Sequence, residues 1–204
     1  MVAPPRPEPD PLDRIVVVDG PGSLVLAVAR LLRAEGVRWV EAGAWAADTA
    51  DAELRRTAGG APDLVILVRT GVVDPRVGEP WRRRQIPHLP VTTWGHRIMV
   101  GPWLTGDPAQ PCLACLAIGA APDPGPPSEA LVTTGAGMAA MVAVAGLAGS
   151  ALPTGVSVEV HAPWPRVDHR RWRRDLDCPL HDSFSVPDRQ GAGRTTGAQV
   201  TMTR

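Results

Sequence analysis

Three cysteines and one histidine carry the most specific chemistry in this chain. Cys112 and Cys115 are separated by two residues, Cys178 and His181 are separated by two residues, and the chain has no other cysteine. Each pair has the spacing of a knuckle, in which a tight turn presents two ligand atoms to one tetrahedral cation. Together the four side chains make a Cys3His set of the kind that binds zinc. Four protein ligands leave no open coordination position. The expected role is therefore structural: the ion staples the loop around Cys112 to the C-terminal segment. Two other readings of the cysteines stay open on the residues alone. A CxxC can be a redox pair, although that motif normally opens a helix after a strand and this one follows Asp107-Pro108-Ala109-Gln110-Pro111. Inert buried thiols are the third reading. An odd number of cysteines does not suit the disulfide framework of a secreted protein, so a reducing, cytoplasmic compartment is expected.

The second candidate is the turn Gly20-Pro21-Gly22-Ser23-Leu24-Val25. It lies between a β-branched run and a helical period, where backbone N–H groups and a helix N-terminus can meet a nucleotide phosphate. Two glycines fit a dinucleotide fingerprint. Val25 stands where a third glycine would permit close packing, and Pro21 removes an N–H donor. Glu41, near the end of the next expected strand, is the candidate for the ribose. Gly20, Gly22, Ser23 and Glu41 thus mark a site for ATP, either working or degenerate, and Ser23 is expected to cap the helix. Asp19, at the end of the first strand, stands where α/β sheets bind ligands, and a turn or capping role is the preferred reading beside that one. Gly135-Ala136-Gly137 matches the fingerprint on paper, but no buried strand precedes it.

Arginines form two further clusters. Arg166, Arg170, Arg171, Arg173 and Arg174, with Trp164 and Trp172 nearby, could hold phosphate or stack on a nucleic-acid strand. Twenty-one basic and 21 acidic residues cancel, however, so nucleic acid and anionic membranes are not expected partners. This stretch, and Trp81-Arg82-Arg83-Arg84, are read as solvated surface, the former a loop around the zinc knuckle. His88 has no nucleophile motif beside it and is read as a loop histidine bonded to backbone. The chain has no lysine, which excludes a lysine phosphate clamp or Schiff base.

The elements that must position these residues follow from periodicity. In the 204-residue chain, Gly 21 and Pro 23 exceed ordinary usage, so turns and loops are abundant. Residues 1–13 are proline-rich and residues 183–204 polar; both are expected to be disordered tails around one domain, residues 14–182. Arg14 to Asp19 and Asp63 to Val68 read as strands covered on both faces. A helix with apolar positions Leu24, Ala27, Val28, Leu31 and Leu32 follows the first and stops at Gly36. Val37 to Ala42 reads as a second strand and Thr49 to Thr57 as a short polar helix. Leu89 to Trp94 and Arg97 to Trp103, joined by Gly95-His96, suggest an antiparallel hairpin, and Gly155 to His161 a further strand. The uncharged run Leu131 to Leu152 is read as a core helix rather than a membrane span. The expected fold is α/β, a Rossmann-like sheet with an attached antiparallel hairpin and a zinc knuckle.

With these residues in place, the chain resembles the E1-like superfamily of ubiquitin-activating and ThiF-type adenylyltransferases. Within it, the sequence is most similar to the E1-like (Ocin-ThiF-type) partner proteins of bacteriocin cyclodehydratases, which make thiazole- and oxazole-modified peptides. Pro87-His88-Leu89-Pro90-Val91, then Met99-Val100-Gly101-Pro102-Trp103-Leu104, then Pro111-Cys112-Leu113-Ala114-Cys115-Leu116 resemble that family's PHLPV, VGP and PCLxCL blocks in order. Trp172 to His181 resembles its closing zinc block, with CPLH where CxC or CxxC is commoner. The likeness covers roughly Arg14 to His181. It implies a ThiF/E1-type sheet, a homodimer, and a degenerate nucleotide site, while a separate YcaO-type protein performs the ATP-dependent chemistry. The chain would then be a non-catalytic or weakly catalytic scaffold that positions a precursor peptide or its YcaO-type enzyme. Active adenylating members use an arginine and a lysine at the phosphates and often a further reactive cysteine, both of which depart from this sequence. The family's usual winged-helix element for peptide capture is not expected in the 13 residues before the first strand. The alternatives are an ATP-dependent ThiF-type adenylyltransferase and a zinc-stabilised interaction module.

Overall fold

The computed structural model describes residues 13–56, 60–117 and 125–182. The two expected tails, apart from Asp13, lie outside the described residues. One seven-stranded sheet runs through the domain in the order β2-β1-β3-β4-β5-β6-β7. Strands β1 (Ile15–Asp19), β2 (Trp39–Gly43), β3 (Leu64–Thr70) and β4 (His88–Trp94) are mutually parallel. Strands β5 (Arg97–Val100), β6 (Val156–His161) and β7 (Arg166–Arg171) continue it antiparallel. The central runs IVVV and LVILV are apolar throughout because helices cover both faces.

Helices α1 (Ser23–Ala34) and α5 (Glu129–Leu147) cover one face, and α2 (Ala46–Arg56), α3 (Pro75–Arg83) and α4 (Leu113–Ala117) lie on the other. On α1 the buried residues are Leu24, Val25, Val28, Ala29 and Leu32. Val25 is fully inside, so the branched side chain is accommodated where a fingerprint would have glycine. Helix α5 is long and apolar enough to cross a membrane by length and composition. Its Leu131, Val132, Ala136, Ala139, Ala140 and Ala143 nevertheless pack into the core. Ser128 caps its N-terminus, accepting from the Leu131 N–H. A Cβ on Gly135 would lie 2.0 Å from Cδ1 of Ile98, so this glycine brings α5 down onto β5, whereas Gly137 meets open space. Gly135 thus serves helix packing.

Four local expectations change. Ser23 is the first helical residue of α1, and Gly22, at φ 91°, takes the cap position with no side-chain bond. The chain leaves β1 through two glycines with positive φ, which completes the turn too early for a serine cap. Helix α2 begins at Ala46, ahead of the expected Thr49, because the Asp19 carboxylate accepts the Ala47 N–H at 3.0 Å and caps the helix from a distant strand; residue 57 lies outside the described residues. Helix α3, absent from the periodicity reading, starts at an Asp74 cap followed by Pro75. It buries Trp81 and Arg82, so that arginine cluster is not wholly solvated. Arg166–Arg171, expected as a loop, is the edge strand β7, whose solvated outer side tolerates charge.

Candidate metal centre and glycine turn

Helix α4 starts one residue after Cys112 and carries Cys115 on its first turn; α6 (Pro179–Asp182) does the same for Cys178 and His181. The two knuckles meet although 66 residues separate Cys112 from Cys178. Their four ligand atoms lie within 4.8 Å of one another, and all four residues are buried. Sγ of Cys112 is 3.7 Å from Sγ of Cys115 and 3.6 Å from Sγ of Cys178, while Sγ of Cys115 is 3.4 Å from Nε2 of His181. Tetrahedral zinc with Zn–S near 2.3 Å places neighbouring sulfurs about 3.8 Å apart and sulfur and nitrogen about 3.6 Å apart. The donor set and its spacing therefore fit, and the cluster could hold a metal such as zinc. The Asp175 N–H lies 3.4 Å from Sγ of Cys115, as donors commonly do around thiolate ligands.

Burial first, and the neighbouring thiols next, push the Cys112 thiol up to about 12. Without a cation the Cys112 thiol stays protonated; a divalent ion would be what makes a thiolate stable there. Three thiolates around a dication leave one net negative charge. Arg82, 5% exposed, feels the cluster: its protonated form is favoured first by Glu79 and also by Cys112 and Cys178. Glu79 holds this guanidinium by two bonds of 2.8 Å.

At the glycine turn, a Cβ on Gly20 would lie 2.2 Å from the Val68 carbonyl oxygen, so the chain passes too close to β3 for any side chain. Gly22 and Ser23 line a small cleft with Arg69, Thr70 and Thr93. Arg69 Nη1 donates to the carbonyls of Asp19 and Val68 at 2.9 and 2.8 Å, and Nη2 binds the Asp19 carboxylate. Asp19 is thus shared between Arg69 and the N-terminus of α2. Glu41 is exposed, pairs in register with Val17, and lines a separate depression at the sheet edge with Asp13 and Trp39. Of the four expected nucleotide residues, the structure brings Gly20, Gly22 and Ser23 together and leaves Glu41 apart. Sequence reasoning missed Arg69; its place at the end of a buried strand, pointing back to β1, was the available signal.

His88 is 1% exposed in β4, with Nδ1 3.1 Å from the Ile86 carbonyl. Burial chiefly, with Arg82 acting in the same direction, lowers its pKa to about 4. The backbone bond was expected; the position inside a strand was not.

No family model matches the sequence, and no curated protein matches it. Solved structures share the fold. A heterocyclase in complex with substrate and cofactor superposes with a TM-score of 0.61 at 16% identity, over 83% of this chain and 25% of that one. The heterocyclase TruD gives 0.60 at 16% identity, over 83% and 27%. MccB of E. coli, solved with ATP, gives 0.60 at 10% identity, over 84% and 68%. This chain spans about a quarter of the two heterocyclases. At these identities the likeness defines a shared α/β fold.

Proposed function

We propose that this protein is a zinc-stapled domain of the ThiF/E1 type that acts without adenylating, as a cytoplasmic scaffold in the biosynthesis of an azole-modified peptide. It positions the precursor peptide or a YcaO-type cyclodehydratase. The observation that carries the reading is the occupied end of β1: the guanidinium of Arg69 is committed to Asp19 and to two carbonyls. No lysine exists to replace that charge at a triphosphate. The shared fold of the heterocyclases supports the pathway, and the Cys3His geometry supports structural zinc. A homodimer belongs to the same reading, and the exposed Leu26 on α1 and Met141 on α5 are apolar side chains such a contact could cover.

Titration with ATP and magnesium, together with pyrophosphate exchange in the presence of the precursor peptide, tests the reading. Neither heat of binding nor exchange is expected, while a precursor peptide or a YcaO-type partner should co-elute with the chain. Micromolar ATP binding with exchange would overturn it in favour of a ThiF-type adenylyltransferase, the reading that the resemblance to MccB solved with ATP supports. Absence of co-elution would leave a zinc-stabilised interaction module serving another partner.

A further inference from the structure

A cleft opens on the face of the sheet that carries α3 and α4, between β4, β5 and β7. It is distinct from both the metal cluster and the glycine turn. Its walls are apolar: Val73, Pro90, Met99, Leu113 and Leu116. Its polar fittings do not match those walls. Oγ1 of Thr92, a residue 2% exposed, and Nε1 of Trp94, a residue 4% exposed, are buried with no hydrogen-bond partner. Buried donors without an acceptor are costly, and native structures seldom leave them unanswered. Two guanidinium groups flank the same opening. Arg97 lies over the Trp94 ring at 4.3 Å and Arg170 over the Trp172 ring at 4.0 Å. Each stands 3.8 Å from a carboxylate oxygen of Glu159.

What Thr92 and Trp94 lack is an acceptor, and the two guanidinium groups beside the opening favour a negatively charged one. The enclosed room is about 20 Å³, enough for one water-sized group. A flat cofactor does not fit; the tip of a chain does. We propose that this cleft binds a carboxylate carried on a short apolar stem. One carboxylate oxygen fills the enclosed space and accepts from Trp94 Nε1 and Thr92 Oγ1, Arg97 and Arg170 supply the countercharge at the opening, and the stem lies outside it against Leu113 and Leu116. The inference extends the peptide-positioning reading above, since an acidic side chain or the end of a peptide has this chemistry. Because Leu113 and Leu116 belong to α4, the wall of the cleft is fixed by the same short helix that carries Cys115.

The test uses the full chain, labelled with nitrogen-15, and follows the indole N–H signal of Trp94, assigned with Trp94→Phe. Three compounds are titrated to millimolar concentration: N-acetyl-leucine, N-acetyl-glutamic acid α-amide and N-acetyl-leucinamide. One or both acids should shift the Trp94 signal saturably, and the neutral amide should bind at least about tenfold more weakly, the loss of one charge-assisted contact. The better acid identifies the source, a chain end or an acidic side chain. Arg170→Gln should weaken the acid by about tenfold and leave the amide unchanged. Thr92→Val should weaken the acid without lowering the melting temperature, because it removes an unpaired hydroxyl. An unmoved Trp94 signal, or equal response to acid and amide, overturns the proposal. So does a loss of stability in Thr92→Val with an exchange-protected water at the indole, which would mean that the cleft serves a resident water. Failure here with co-elution of the precursor intact removes only the carboxylate cleft; carboxylate binding without co-elution removes only the peptide-scaffold reading.

Discussion

Arg69 closes the end of β1 by gripping Asp19 twice, with Nη1 on its carbonyl oxygen at 2.9 Å and Nη2 on its carboxylate. The Asp19 side chain is 3% exposed and that of Arg69 24%. Removing one member strands the other. Arg69→Leu should therefore destabilise the domain by about 3 kcal/mol in urea melts. Adding Asp19→Asn should recover part of that loss, since a neutral amide can still accept the Ala47 N–H. Equal stability of wild type and Arg69→Leu would show that the pair is solvent-screened and holds nothing in place.

Purified protein that has never met a chelator is expected to contain about one zinc per chain. Cys178→Ser should bring the stoichiometry close to zero and lower the melting temperature, because the two knuckles lose their common ion. Plasma emission spectrometry and calorimetry on the same samples check both. A metal-free, equally stable Cys178→Ser and wild type would assign the cluster to inert thiols.

The two glycines of Gly135-Ala136-Gly137 should respond oppositely to the same substitution. Gly135→Ala drives a methyl to within 2.0 Å of Ile98 in the core and should cost about 1–3 kcal/mol. Gly137→Ala meets nothing within 4 Å and should stabilise α5 by about 0.5–1 kcal/mol through helix propensity. Denaturant midpoints of the two variants decide; matching signs would contradict the helix-to-sheet contact.

Acid should weaken the fold through His88. Its native pKa, lowered to about 4, lies below the ordinary 6.5 of an unfolded chain. As pH falls through that window the unfolded chain takes up a proton that the native state refuses. Stability present above pH 6.5 is thus lost progressively toward pH 4, by about 3 kcal/mol in total. His88→Asn should be less stable at neutral pH yet show a flatter profile between pH 6.5 and 4. An unchanged slope would assign the acid sensitivity to other groups.

Residues whose partners are close in sequence, or whose chemistry is unmistakable, were legible before the structure. The knuckles Cys112/Cys115 and Cys178/His181 were read from spacing, and β1 and β3 from unbroken apolar runs. What escaped depends on distant neighbours. The start of α2 is capped by Asp19, 28 residues earlier, so no local signal marks it. Helix α3 was hidden by Pro80 and four charged side chains in nine residues, and by a core contribution that rests largely on Trp81. Strand β7 was hidden because an edge strand with water on one side has no need of alternating apolar residues. The orphan donors of Thr92 and Trp94 exist only after β4 is laid against α4.

The metal cluster also sets an order of events. Cys112 and Cys115 leave the ribosome with half a coordination shell, and the other half follows 66 residues later. Everything between them, α5 and the strands β6 and β7, is synthesised while the first knuckle waits. An ion held by all four ligands would be captured only after the antiparallel half of the sheet has been synthesised, and a chain cut short before Cys178 would carry half of the ligand set.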